Sequence, residues 1–170
     1  MPFYDESDFY PDRSIGYLLR RNLQLTSVGL EPVFGPEGVT LTQWSALVSI
    51  YFDRGNTCAE LARDLAHDKG ATTRIIDTLV ERGWVTRTRH ADDRRVINLT
   101  LTEAGKAVAH HCRLGVIEQW NDWLMDWADE DSATLLRLLQ KLHQTLQAKI
   151  PVGQPKILEG QSKIAAGTGE

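Results

Sequence analysis

The stretch TCAELARDLAHDKGATTRIIDTLVERGWVTRTRHADDRRVINLTL, from Thr57 to Leu101, decides the fold. Thr57 followed three residues later by Glu60 is a capping box, in which each side chain satisfies a backbone N–H that a helix start leaves unpaired. The short helix that follows buries Leu61, Ala62 and Leu65. Ala66 to Gly70 breaks the pattern, and a further helix puts Ile75, Ile76, Leu79 and Val80 on one face before Gly83 stops it. Trp84 to Arg89 reads as a strand, His90 to Arg94 as a charged turn, and Arg95 to Leu101 as a second strand with Ile97, Leu99 and Leu101 on one face. The order is helix, turn, helix, hairpin, and the fold class is mainly α with a small β-hairpin wing (α+β).

Outward from this unit the chain is helical. Upstream, Thr42 caps a helix carrying Trp44, Leu47, Val48 and Tyr51, and the loop before it holds Gly29, Gly35, Gly38, Pro32 and Pro36. An earlier helix starts near Asp12 or Arg13, with Ile15, Leu18, Leu19, Leu25 and Val28 at roughly helical spacing. Downstream, Thr102 and Glu103 open a long helix reaching about Trp127, and Asp129 begins another reaching about Lys149. Val116, Trp120, Trp123 and Trp127 form one stripe on the first, and Leu135, Leu139, Leu142 and Leu146 another on the second. These faces exceed what so small a hairpin domain can cover, so the expected cover is a partner chain. The boundaries are then an N-terminal arm at 1–11, a helix and loop at 12–40, the helix-turn-helix and wing at 41–102, paired helices at 103–150 and a flexible tail at 151–170.

Composition narrows the function. The chain has 170 residues, two Cys and a net charge of −4, which fits one soluble domain with appendages and no disulfide scaffold. No apolar run approaches the roughly 20 residues of a membrane span, and the acidic start, with Asp5, Glu6 and Asp8, is unlike a secretory leader, so the expected compartment is the reducing cytoplasm. Charge is uneven. Arg54 to Arg113 holds 11 basic and 8 acidic residues, a net of +3, against 8 and 15, or −7, elsewhere. That middle region is where a polyanion could dock, although on charge alone so small an excess better suits a mixed solvated surface.

A helix-turn-helix followed by a hairpin suits duplex DNA because a helix fits the major groove while the hairpin loop reaches the flanking minor groove. With its apolar side turned inward, the second helix leaves Ala71, Thr72, Thr73 and Arg74 pointing outward near its start. Arg74 can pair bidentately with guanine, and the threonines can reach phosphates or a thymine methyl. The same residues also suit an ordinary exposed helix start capped by its own threonines. The hairpin adds Arg87 and Arg89 on one strand and a loop that sets Asp92 and Asp93 beside Arg94 and Arg95. Carboxylates beside arginines hold a guanidinium extended for a narrow groove, and Arg95 is the candidate finger.

These pieces, in their order, resemble the MarR family of winged-helix transcriptional regulators. The resemblance rests on Leu-Thr-Gln-Trp at Leu41 to Trp44, Glu-Leu-Ala at Glu60 to Ala62, Thr73 and Arg74, Leu79, and Glu-Arg-Gly from Glu81 to Gly83. It continues through Arg87, Asp-Asp-Arg-Arg from Asp92 to Arg95, Leu-Thr-Glu-Ala-Gly from Leu101 to Gly105, and Ile15 to Leu19 in the first helix. It implies a winged helix-turn-helix with N- and C-terminal dimerisation helices: a homodimer, not an enzyme, acting as a repressor on a pseudo-palindromic DNA operator with half-site centres about 10 base pairs apart. The family's Asp and Arg of the wing map onto Asp93 and Arg95, with Arg94 between them in reach of phosphate. Where many relatives start the recognition helix with Ser, this chain has Gly70, a tolerable N-cap that lacks the hydroxyl.

The resemblance also implies release from DNA by a small aromatic or phenolic effector bound between the dimerisation helices and the winged domain. Tyr17, Arg20, Arg21, Trp44 and His111 are the candidates for that cleft. No cofactor, metal site or membrane contact is expected: His110 and His111 point about 100° apart on a helix, and no His or Cys spacing fits zinc. Two other classes stay open. One is a winged-helix protein-interaction module, and the other a thiol redox sensor at Cys58, which sits in the first turn of a helix. Cys58 and Cys112 otherwise read as small buried residues.

Overall fold

The computed structural model describes residues 3–6, 9–89 and 96–150. A 3-10 turn at Pro11–Arg13 leads into α1 (Ile15–Gly29), α2 (Glu31–Phe34), α3 (Leu41–Tyr51), α4 (Cys58–Asp64) and α5 (Lys69–Glu81). The hairpin β1 (Val85–Arg89) and β2 (Ile97–Leu101) follows, then α6 (Glu103–Trp123) and α7 (Asp129–Lys149).

Capping side chains set most helix starts. Ser14 accepts from the Tyr17 N–H and begins α1 at Ile15, two to three residues later than the periodicity suggests. Thr40, not Thr42, caps α3, and the reciprocal box is completed by Gln43; glutamine at the third helical position has the reach to return the hydrogen bond. Thr57 caps α4 by accepting from the Glu60 N–H. The stretch expected to be loop from Gly29 to Gly38 contains the short helix α2, because Pro32 sits in its first turn, where a missing N–H costs nothing. Gly83, at φ +71°, stops α5 in the left-handed conformation that glycine adopts readily.

The hairpin is antiparallel, with Val85 opposite Leu101, Arg87 opposite Leu99 and Arg89 opposite Ile97. It is joined to the helix-turn-helix through the Leu99 N–H, which donates to the Asn56 carbonyl at 2.7 Å. Leu99 and Leu101 enter the core, whereas Ile97, expected on that same face, is exposed. One apolar cluster unites Leu47 and Ile50 of α3, Leu61 of α4, Ile76 and Leu79 of α5, the hairpin, and Val108, Cys112 and Val116 of α6.

The N- and C-terminal helices lie outside this core. Neither α1 nor α7 contributes a buried residue. Of the expected stripe on α6, Val116 is buried, Trp123 is half-buried, and Trp120 and Trp127 are exposed. Trp127 also falls beyond the end of α6, which closes at Leu124. The tail at 151–170 lies outside the described residues, as does part of the arm.

Candidate nucleic-acid interface

The start of α5 is fixed by Asp68, whose carboxylate accepts the Ala71 N–H at 2.8 Å. That hydrogen bond, assisted by the Gly70 amide, Arg74 and His67 and opposed by desolvation, holds the Asp68 carboxyl below its ordinary range. Gly70 is therefore the second residue of the helix and not its cap, and the hydroxyl it lacks takes no capping bond away.

Downstream of this cap, the four residues expected to face outward divide. Thr73 and Arg74 are exposed and Ala71 is half-buried. Thr72 corrects the sequence reading: it is fully buried, and its hydroxyl donates to the Asp68 carbonyl at 2.9 Å. Positions 72, 76 and 79 share one helical face with the core residues Ile76 and Leu79, and a threonine that returns its hydroxyl to the preceding turn can lie there without an unsatisfied group. The outward stripe is Thr73, Arg74 and Asp77. Thr73 also lies 3.7 Å from the Cys58 thiol of α4.

The hairpin stands beside this stripe. Arg87 reaches back to α5, its Nη2 2.5 Å from Asp77 Oδ1, and Arg89 is exposed. Asp93, Arg94 and Arg95 lie outside the described residues. Sequence reasoning missed Arg82, whose Nη1 donates to the Gly38 carbonyl at 2.6 Å and whose guanidinium lies 4.1 Å over the Trp84 ring. Its signal is the Arg-Gly-Trp run itself, a cation two positions before an aromatic across a turn.

The five effector candidates are not gathered in one place in the chain. Trp44 packs on Phe34 and lines a groove of about 970 Å³ with Leu23, Val48, Arg54 and Leu65. Trp44 Nε1 and Ser49 Oγ are buried beneath that groove without a hydrogen-bond partner among the described residues, the Ser49 hydroxyl lying against Gly55. His111 lines a different groove, of about 560 Å³, and approaches Glu37 at 3.9 Å. Arg20 covers the Tyr17 ring and Arg21 donates to Gln24. Cys112 is fully buried, and burial followed by the nearby Glu37 pushes its thiol up to about 11. Among the described residues no His, Cys, Asp and Glu cluster could hold a metal ion, and no helix is long and apolar enough to cross a membrane.

Comparison with known proteins agrees with this geometry. The MarR family model matches residues 39–97. The multiple antibiotic resistance protein MarR of Escherichia coli K12 is 33% identical over 114 residues, covering 66% of this chain and 79% of that protein. A variant of E. coli MarR solved in complex with operator DNA superposes with a TM-score of 0.68 at 31% identity, covering 75% of this chain and 92% of that one. CouR of Rhodococcus jostii, bound to p-coumaroyl-CoA, shares the fold at a TM-score of 0.69 and 23% identity, covering 78% and 94%. With these residues in this order on this architecture, the chain belongs to the MarR family of transcriptional regulators.

Proposed function

We propose that the protein is a homodimeric repressor that reads a pseudo-palindromic operator through the exposed start of α5 and a minor-groove contact from the hairpin tip. The observation that carries this reading is the outward pair Thr73 and Arg74, standing on a helix whose opposite face is locked into the core by Thr72, Ile76 and Leu79. A helix held so rigidly presents its side chains to a groove with little entropy left to lose. Ala71 and Thr73 supply a methyl and a hydroxyl, Arg74 the guanine-reading fork, and Asp93, Arg94 and Arg95 the wing contact. In this reading 41–102 binds DNA, while 12–40 and 103–150 pair two copies and set half-sites about one helical turn apart. The DNA-bound relative supports that assignment.

Release by a small aromatic carboxylate fits the Trp44 groove. It offers apolar walls from Leu23, Trp44, Val48 and Leu65, and the cation of Arg54. A relative of the same fold holds an aromatic acyl thioester. Equilibrium DNA binding by alanine variants tests the interface. Arg95→Ala weakens binding to a duplex selected by the wild type by about tenfold with an unchanged melting temperature. Arg74→Ala relaxes sequence preference, and equal losses on selected and random duplexes would reduce it to a phosphate contact.

A further inference from the structure

The outward stripe of α5 carries an acid. Asp77 lies one turn beyond Thr73, on the same exposed side. An unpaired carboxylate there would meet the phosphates of any duplex that Thr73 and Arg74 touch, and like charge resists that approach. The cation that answers it comes from the wing. Along β1 side chains alternate, so Arg87 shares a face with Val85, which packs into the core. Arg87 extends from that face to Asp77, with Nη2 and Oδ1 2.5 Å apart. Its ladder partner is the buried Leu99, which anchors the strand at the same level.

We propose that Arg87 is a positioning residue and not a phosphate ligand: its ion pair with Asp77 ties the first wing strand to the recognition helix and neutralises the acid on the groove-facing stripe. The pair fixes the angle between the two elements that must meet one duplex together, and so sharpens the choice of sequence. An exposed ion pair contributes little to folding, so its effect belongs to DNA discrimination and not to the melting temperature. This inference rests on the DNA-binding reading above.

The test takes a duplex that the wild-type chain enriches from a pool of random duplexes two helical turns long, with a scrambled duplex of equal composition beside it. Binding to both is measured over a salt series for the wild type, Arg87→Ala, Asp77→Asn and the double variant. Arg87→Ala lowers the preference for the selected duplex by about tenfold and leaves the slope of log K against log salt unchanged. Asp77→Asn, a conservative change at an exposed position, lowers the preference when Arg87 is present; in the Arg87→Ala background it leaves the preference unchanged while strengthening binding to both duplexes equally, because it removes an unpaired carboxylate.

Three results overturn the proposal. A salt slope reduced by about 0.9, with equal loss on both duplexes, makes Arg87 a phosphate contact. A further loss on adding Asp77→Asn to Arg87→Ala makes Asp77 a base reader in its own right. An unchanged preference in both single variants leaves the pair without a role. A wild-type chain that enriches no duplex would instead fail the DNA-binding reading itself, an outcome distinguishable from the other three.

Discussion

Asp68 accepts the Ala71 amide, and that bond is the first cause of its lowered carboxyl pKa. Because the folded-state value is depressed, the stabilisation is fully present above the unfolded value of about 3.9 and is lost as pH falls through the folded value beneath it. Asp68→Ala is expected to lower the melting temperature by a few degrees at neutral pH and to flatten its decline in acid. Asp68→Asn, which keeps a capping oxygen, should hold most of the neutral-pH stability. Thermal unfolding followed by circular dichroism at about pH 7 and about pH 3 checks both, and an unchanged Asp68→Ala melt would remove the cap from the account. At this scale the sequence was legible where local chemistry decides: Thr73 and Arg74 are exposed where helical spacing puts them, and Cys112 is buried, whereas Cys58, read with it as a small buried residue, is only half-buried. It was misread at Thr72, since counting only apolar residues leaves a polar atom satisfied by its own helix off the buried face. Arg82 escaped because its acceptor, the Gly38 carbonyl, stands 44 residues away in the chain.

The elements were legible wherever a cap and a period coincide. The α4–α5–β1–β2 order follows from Thr57, Gly83 and the alternation of Leu99 and Leu101. The α2 turn was hidden because proline and glycine mark both a loop and a one-turn helix. The end of α6 was overrun because Trp127 happens to continue the spacing past the Leu124 cap. The junction between hairpin and α6 gives Leu-Thr-Glu-Ala-Gly, from Leu101 to Gly105, its structural role. Thr102 caps α6 by accepting from the Gly105 N–H, and its own N–H donates to the Trp84 carbonyl. Its hydroxyl also donates to the Gly83 carbonyl. Gly105 lies so close to the Trp84 backbone that a Cβ would come within 2.0 Å of the carbonyl oxygen. Backbone cannot yield as a side chain end can, so Gly105→Ala should cost about 2 kcal/mol or more by forcing α6 off the hairpin. Denaturant unfolding measures this, and a loss below about 0.5 kcal/mol would mean the junction tolerates a shift. Gly16→Ala is the control, because nothing lies within 4 Å of its added methyl.

At the scale of the whole molecule the chain is only half explained by its own core. Leu23, Leu25 and Val28 of α1 are each more than 60% exposed, and Leu135, Leu136, Leu138, Leu139 and Leu146 of α7 are exposed as well. Burying a leucine side chain contributes roughly 1.5–3 kcal/mol, so two such helices left partly in water forgo an amount comparable to the stability of an ordinary domain. In the proposed homodimer a second copy covers both faces at once by two-fold symmetry and places the two α5 stripes on one duplex, which makes assembly and DNA recognition a single requirement of that reading. The protein is therefore expected to sediment at twice its 19.1 kDa chain mass, with a melting temperature that rises with concentration, as linkage between folding and association demands. Leu139→Asp, far along the chain from every proposed DNA contact, should shift sedimentation toward the single chain, lower the melting temperature and abolish binding to a duplex selected by the wild type. A single-chain species at micromolar concentration in the wild type, or full DNA binding by a monomeric Leu139→Asp variant, would separate the two requirements and leave α1 and α7 to a partner of another kind.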